Sequence, residues 1–360
     1  MRIGMVAPIS WRVPPRHYGP WERFVSLLTE GLVARGVDVT LFATADSVTS
    51  ARLVGTAPRA YSEDPTLNAK AWECLNVAAA FERAAEFDLI HNSADFLPLS
   101  YSALVDTPVV TTIHGFSSED IVPVYARYAE RGFYVAISDA DRHPALAYLA
   151  TVHHGIDVQH FPLHDEPAGY LLYFGRIHPD KGTASAIAVA RRAGLPLRIA
   201  GIVQDQAYFD AEVAPHLQDG RVDYLGSVGP DDRAALLGGA MALLHLIDFA
   251  EPFGLSVVEA MACGTPVIAH PLGSMPEIID DGVSGLLVAD QDAAVAAVAE
   301  AATLDRATVR ATAVRRFCID RMVDEYLEVY ARALERWSAR RSSRPSMPIS
   351  AKAAPTSENP

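Results

Sequence analysis

The chain has little of what marks several common protein classes. Its three cysteines, Cys74, Cys263 and Cys318, are spaced too widely for a metal knuckle or a disulfide framework, which points to a reducing compartment. Basic residues are short: 30 Lys and Arg face 44 Asp and Glu, for a net charge of −14, which argues against nucleic acid as the main partner. The longest mostly apolar run, Ala234 to Ile247, contains His245 and is broken by Gly238-Gly239, so it does not read as a membrane span. Met1–Pro8 is too short an apolar run for a signal peptide, and a cytoplasmic location is expected. No G-x-G-x-x-G follows a strand pattern, so a dinucleotide cofactor is not expected. There is no Walker A loop, because Lys181-Gly182 has the wrong order, and no G-x-S-x-G, H-E-x-x-H or C-x-x-C.

What is present is apolar mass and a regular alternation. Half of the 360 residues are hydrophobic, enough for the cores of two domains. Arg2–Ala7, Asp38–Phe42, Asp88–His91, Pro108–His114, Phe133–Ser138 and Ala150–His153 read as strands. Several are continuous apolar runs, the pattern of parallel strands covered on both faces. Gly19-Pro20 opens a helix whose apolar stripe is Trp21, Phe24, Val25, Leu28 and Leu32, and Gly36 closes it. A second series follows Pro162–Pro167: strands at Tyr170–Phe174, Leu197–Ala200, Val222–Leu225, Ala242–Ile247 and Pro266–Ala269, with helical patterns between them such as Thr183–Arg192.

The expected fold class is therefore α/β, two Rossmann-like doubly wound parallel-sheet domains facing across a cleft. Residues 1–160 form the first domain and 168–318 the second. Asp320–Trp337 is a long amphipathic helix. Residues 338–360, rich in Ser, Pro, Ala and basic residues, read as a disordered tail. Arg340, Arg341, Arg344 and Lys352 there allow a weak peripheral contact with an anionic membrane surface; a solvated tail is the favoured reading.

The chemistry concentrates in Glu251-Pro252-Phe253-Gly254-Leu255-Ser256-Val257-Val258-Glu259-Ala260-Met261-Ala262-Cys263-Gly264-Thr265-Pro266. Leu255–Cys263 reads as a short helix that is apolar nearly all round, hence buried, with Glu259 as its single charge. A buried carboxylate needs a hydrogen-bonding partner. The bend at Pro252 and Gly254 exposes the helix N-terminus, a site for anions, and Glu251 stands at its mouth. Two carboxylates around a helix start suit a ligand with both hydroxyls and phosphates, the chemistry of a nucleotide sugar.

Other residues have two readings each. Arg176 and Lys181, in Gly175-Arg176-Ile177-His178-Pro179-Asp180-Lys181-Gly182, either reach a diphosphate from one loop or lie on a solvated turn. Gly19-Pro20 is either a second helix N-terminus aimed at the cleft or an ordinary strand–helix turn. His114, at a strand's carboxyl end, is either a structural histidine or a cleft residue. Asp139-Ala140-Asp141 has the D-x-D pattern that some sugar transferases use for a metal; after the strand Phe133–Ser138 it reads better as a helix cap, and no metal site is expected. His153, His154, His160 and His164 lack regular metal spacing and read as interdomain polar surface.

On these residues the chain resembles the retaining glycosyltransferases of sequence family four, which have the two-Rossmann (GT-B) fold. The likeness runs to about Trp337 and is most specific at Glu251-Pro252-Phe253-Gly254 with Glu259 to Val267, continuing through Gly273-Ser274-Met275-Pro276-Glu277 and Asp281-Gly282. The resemblance implies that Glu251 holds hydroxyls of the donor sugar and Glu259 those of the ribose. Arg176 and Lys181 would neutralise the diphosphate leaving group. Backbone N–H groups of Phe253, Gly254 and Leu255 would touch sugar and phosphates, and Gly226-Ser227-Val228 would lie beside the nucleobase. Gly19 would belong to the phosphate loop of the first domain, His114 would stand at the sugar and acceptor end, and Ser138 joins the candidate substrate-binding residues. The last helix would cross back to the first domain.

The implied activity is transfer of a sugar from a UDP-, GDP- or ADP-linked donor to a hydroxyl acceptor, with no cofactor and no metal. A sugar-nucleotide epimerase or phosphorylase on the same fold is one alternative, and a non-catalytic nucleotide-sugar- or glycan-binding protein is another. Two departures stand out: Pro20 replaces the second glycine common in the family's first loop, and His154 replaces an asparagine.

Overall fold

The computed structural model describes residues 1–342 except His17 and Ser117. Two wholly parallel sheets follow one another along the chain. The first unit runs β1 (Arg2–Val6), α1 (Pro20–Ala34), β2 (Asp38–Thr44), β3 (Arg52–Ala57), α2 (Ala69–Glu82), β4 (Leu89–Asn92), β5 (Val109–Ile113), α3 (Val122–Tyr128), β6 (Gly132–Ala136) and β7 (Tyr148–Thr151). Its sheet order is β3-β2-β1-β4-β5-β6-β7. The second unit runs β8 (Tyr170–Phe174), α4 (Thr183–Ala193), β9 (Leu197–Ala200), α5 (Gln206–Tyr208), β10 (Val222–Tyr224), α6 (Pro230–Gly238), β11 (Ala240–His245), α7 (Leu255–Ala262), β12 (Val267–Ala269), α8 (Met275–Ile278), β13 (Gly285–Leu287), α9 (Gln291–Ala301) and α10 (Arg306–Phe317). Its order is β10-β9-β8-β11-β12-β13. α11 (Ile319–Ser342) ends the described chain.

In both sheets the strand order reverses beside the first strand of the unit, between β1 and β4 and between β8 and β11. A ligand crevice opens at such switch points, at the carboxyl ends of the strands. The central strands are apolar on both faces because helices cover both sides; Ile3, Met5, Leu171, Leu172, Leu243 and Ile268 are fully or almost fully buried. β3 and β13 are the strands that sequence patterning passed over. β3 carries Gly55 and is only partly buried, and β13 has three residues, so neither shows an apolar run.

α11 crosses back to the first unit. Its Met322, Val323, Tyr326, Val329, Tyr330, Ala333 and Trp337 join the core built by β1, β2 and α1. The helix does not stop at Trp337, as the sequence suggests, but continues to Ser342. The indole Nε1 of Trp337 donates to the carbonyl of Asp106 at 2.9 Å, and the Arg340 guanidinium lies 4.8 Å from the Phe133 ring, so the last turn is held against the first unit. Arg344, Lys352 and the rest of the expected tail lie outside the described residues. Among the described residues no helix is long and apolar enough to cross a membrane.

The chain passes between the units twice, and the passages are bonded to each other. Ile156 N–H donates to the Phe317 carbonyl at 2.8 Å, and Ile319 N–H donates to the Ile156 carbonyl at 3.0 Å. A second tie comes from Glu277 in α8, whose carboxylate accepts from the backbone N–H groups of Asp139 (2.9 Å) and Ala140 (2.6 Å) and lies 3.1 Å from His153 Nε2. No helix begins at Asp139-Ala140-Asp141, contrary to the capping expectation. Pro144 follows too closely for a helix to form, because the residue before a proline is driven out of the helical region. The N–H groups that would have opened a helix instead meet the other unit's carboxylate.

Candidate functional site

A cavity of about 180 Å³ lies between the units, at the carboxyl ends of β8, β9, β10 and β11. Its first-unit wall is Tyr18, Gly19, Pro20 and Arg23; its second-unit wall includes Arg176, Lys181, Ser227, Val228, Arg233, His245, Glu251, Gly254, Leu255, Ser256 and Glu259. Nine candidate residues from the sequence thus meet in one place: Gly19, Arg176, Lys181, Ser227, Val228, Glu251, Gly254, Leu255 and Glu259. Gly226 adjoins them; its carbonyl accepts from Gly201 N–H at 2.8 Å.

The geometry of α7 follows from its sequence. Gly254 takes φ +87° at the N-cap, a left-handed conformation open to glycine, and a Cβ there would stand 2.8 Å from the Met275 methyl. No side chain caps this end, so its first N–H groups face the cavity uncapped. Leu255, Ser256 and Glu259 share one helix face at i, i+1 and i+4, and that face is turned to the cavity while Val257, Val258, Ala260 and Met261 go to the core.

The partner of the buried Glu259 is protein. Arg23 Nη1 of α1 donates to its Oε1 at 3.0 Å, and Arg233 Nη2 of α6 stands 2.7 Å from its Oε2, off the line of a hydrogen bond. The Glu259 side chain is 1% exposed and that of Arg233 14%, and the Arg233 guanidinium lies 4.6 Å from the Phe174 ring centre. Burial lowers the Arg233 pKa, and the neighbouring Glu259 carboxylate pulls it back up. Glu251 has a partner as well: Lys181 Nζ lies 2.7 Å from its Oε2. Lys181 is fixed by a short turn in which its N–H donates to the His178 carbonyl at 3.0 Å. The Arg176 side chain, by contrast, bonds among the described residues only a neutral amide, Gln204 Oε1.

Gly19, at φ +142°, caps α1, with Pro20 at the first helical position. That position has no intrahelical acceptor for an N–H, so proline there leaves the helix intact. Tyr18 beside it has its phenol pKa raised, by burial first. Glu22, three residues on, is pushed up to about 7 by burial, although its Oε1 accepts from Trp11 N–H at 3.0 Å.

Four candidates do not line the cavity. His114 is buried in a ring stack, 5.2 Å from Trp21 and 5.3 Å from His154, with Phe24 edge-on at 4.8 Å. Among the described residues both its ring nitrogens lack partners, and burial, with His154 next, holds its pKa well below the ordinary value. Ser138 is buried and accepts from Asp141 N–H at 3.1 Å. The Phe253 side chain packs on His154 and Phe317, and its carbonyl accepts from Ser274 Oγ at 2.9 Å. Gly226 is the fourth, one residue outside.

His154 is not polar surface but lies buried between His114 and Phe253, its pKa lowered to about 3 by burial. The neighbours on both sides are aromatic, which favours a ring over a small amide. His153 reaches Glu277 across the units; His160 is exposed beside Asp157; His164 packs on Gly238. Among the described residues no group of His, Cys, Asp or Glu is placed to hold a metal.

Sequence reasoning missed Arg23, Arg233 and His245. A charge at Arg23, beside the apolar stripe of α1, was a readable signal. Asp231-Asp232-Arg233 looks like a solvated helix start, so nothing local marked Arg233. His245 ends β11, is brought down to about 4 by burial, and stands 3.8 Å from Glu251.

Comparison with known proteins agrees with this architecture. Residues 21–160 match the family model described as Glycosyltransferase Family 4, and residues 158–312 match that described as Glycosyl transferases group 1. The glycogen synthase of Mycobacterium tuberculosis is 27% identical over 363 residues, covering 85% of this chain and 86% of that protein. The D-inositol 3-phosphate glycosyltransferase of Mycolicibacterium smegmatis is 31% identical over 227 residues, 57% of this chain and 51% of that enzyme. Among solved structures, the sucrose-phosphate synthase of Thermosynechococcus elongatus superimposes with a TM-score of 0.76 at 20% identity, over 93% of this chain and 100% of that one. HepE of Anabaena, in complex with UDP and glucose, gives 0.70 at 18% identity, over 92% and 100%.

Proposed function

We propose that this chain, which belongs to the glycosyltransferases of family-four type, moves a sugar from a nucleoside-diphosphate sugar to a hydroxyl acceptor, retaining the configuration at the anomeric carbon and using no metal. One observation carries the reading. In a protein of net charge −14, the described residues that line the cavity include four cations, Arg23, Arg176, Lys181 and Arg233, against two carboxylates, Glu251 and Glu259. The excess of two positive charges matches the two negative charges of a sugar diphosphate.

The bond that breaks joins the anomeric carbon to a phosphate oxygen, and the bond that forms joins that carbon to the acceptor oxygen. The acceptor proton passes to the departing phosphate oxygen on the same face of the sugar. Negative charge grows on the diphosphate, and Arg176 and the uncapped N-terminus of α7 are placed to stabilise it. Glu251 is already paired with Lys181, which favours a role in holding sugar hydroxyls over that of a nucleophile. The donor lies against the second unit and the acceptor enters from the first.

A thermal-shift screen with UDP-, GDP- and ADP-sugars tests the donor, UDP-glucose first because a structural neighbour holds UDP and glucose. Transfer with the stabilising donor is then run in EDTA, and the anomeric configuration of the product is read by NMR. Retention in the presence of EDTA is expected. No stabilisation by any of the three donor classes would overturn the donor reading; an inverted product or loss of rate in EDTA restored by manganese would overturn the mechanism.

A further inference from the structure

Arg23 belongs to the first unit, yet its guanidinium lies in the cavity otherwise built largely by the second. It is joined to Glu259 Oε1 at 3.0 Å, and among the described residues it has no other hydrogen bond or ion pair. Glu259 carries one negative charge and is flanked by two guanidiniums. Arg233 comes from the same unit as Glu259, lies over the Phe174 ring and is the less exposed of the two, 14% against 20% for the Arg23 side chain. Arg233 alone can therefore balance Glu259. Lys181 is balanced by Glu251, and among the described residues the Arg176 side chain has only the neutral Gln204. The two surplus charges of the cavity thus reside on Arg176 and Arg23.

We infer that Arg23 is a donor-binding residue, the second cation for the diphosphate, supplied by the unit opposite the one that holds the nucleotide. The inference rests on the donor reading above. Arg176 and Arg23 then face the diphosphate from the two walls of the cavity, and Glu259 holds the Arg23 side chain extended into the site before the donor arrives. A guanidinium presents a planar fork of donors, which lets it bond Glu259 with one nitrogen and phosphate oxygens with others. Because Arg23 rides on the first unit, its bond to the diphosphate makes the donor a tie between the two units.

The test is calorimetric titration of the wild type with UDP, GDP and ADP, then of Arg23→Ala with whichever binds, alongside the matching nucleoside followed by ligand-observed NMR. Arg23→Ala is expected to weaken the nucleoside diphosphate by roughly ten- to hundredfold, the loss of a charge-assisted contact, while leaving the nucleoside within about twofold. Arg23→Lys should recover part of the diphosphate affinity. Should Arg23→Ala fail to fold, Arg23→Gln carries the same comparison. Unchanged diphosphate affinity overturns the inference, as does an equal loss for diphosphate and nucleoside, which would mean that Arg23 serves only to hold Glu259 for the ribose. If none of the three diphosphates binds the wild type, it is the donor reading that has failed.

Discussion

Lys181 Nζ lies 2.7 Å from Glu251 Oε2, with both side chains less than 15% exposed, 13% and 14%. One ion pair thus joins the loop after β8 to the segment that leads into α7, the two pieces of sequence that carry the site. Removing the lysine would leave Glu251 partly buried and unbalanced, whereas among the described residues Arg176 has no carboxylate to abandon.

Arg176→Ala is expected to lower turnover about a hundredfold, roughly 3 kcal/mol of lost leaving-group stabilisation, and Lys181→Ala to lower it because Glu251 loses the ion pair that holds it for the sugar. Lys181→Ala should also lower the melting temperature, and Arg176→Ala should not. Steady-state kinetics with a calorimetric melt on each variant checks both halves. Wild-type turnover in the double variant would remove these residues from the mechanism.

Glu259→Gln leaves Arg23 and Arg233 without their shared counter-charge inside the cavity. Breaking a buried ion pair by removing one partner costs about 3–5 kcal/mol. The variant should therefore melt well below the wild type as well as bind nucleotide more weakly. Arg23→Ala, which keeps the Glu259–Arg233 pair, should cost much less stability. Equal melting temperatures for Glu259→Gln and wild type would show that the two arginines do not depend on this carboxylate.

Glu22, held up at about 7 by burial, gives a pH dependence with a definite sign. Between about 4.5 and 7 the folded state holds a proton that the unfolded state has lost, so stability from this group is present at low pH and declines as pH rises through 7. Glu22→Gln keeps an oxygen for the Trp11 N–H and removes the titration. It should raise stability relative to wild type by about 3 kcal/mol more at pH 8 than at pH 4.5. His91 and His154, each depressed to about 3, work in the opposite sense: the unfolded state takes their protons first, so stability falls as pH drops below about 6.5. Melting curves of both proteins across pH 4.5 to 8 separate the contributions, and a Glu22→Gln effect independent of pH would refute the assignment.

Glu277 ties α8 to Asp139, Ala140 and His153 of the first unit. Glu277→Ala should loosen the two units about the paired passages at Ile156 and Phe317–Ile319, and the radius of gyration of the free protein should rise. Saturating donor should contract the variant more than the wild type. Identical scattering profiles for both free proteins would mean that the passages alone set the relative position of the units.

Much of the fold was legible in sequence because its signals are local. Tyr170–Phe174 is an apolar run between Gly169 and Gly175, and Leu197–Ala200, apolar but for Arg198, lies between Pro196 and Gly201; they form β8 and β9 with those limits. α7 was readable from its near-continuous apolar content and from the Pro252 and Gly254 bend before it. The same locality exposed Glu259 as a buried charge that had to have a partner. What sequence alone determined is the two parallel α/β units, the helix that carries Glu259 with Glu251 at its mouth, and the demand for a counter-charge. Which groups answer that demand was decided only by the tertiary structure. Arg23 lies 236 positions from Glu259, on the other unit, and Arg233 lies in an element that looks solvated when read by itself. Charge balance in a cavity is a sum over groups brought together by packing, and no period, cap or turn signal in one segment records it.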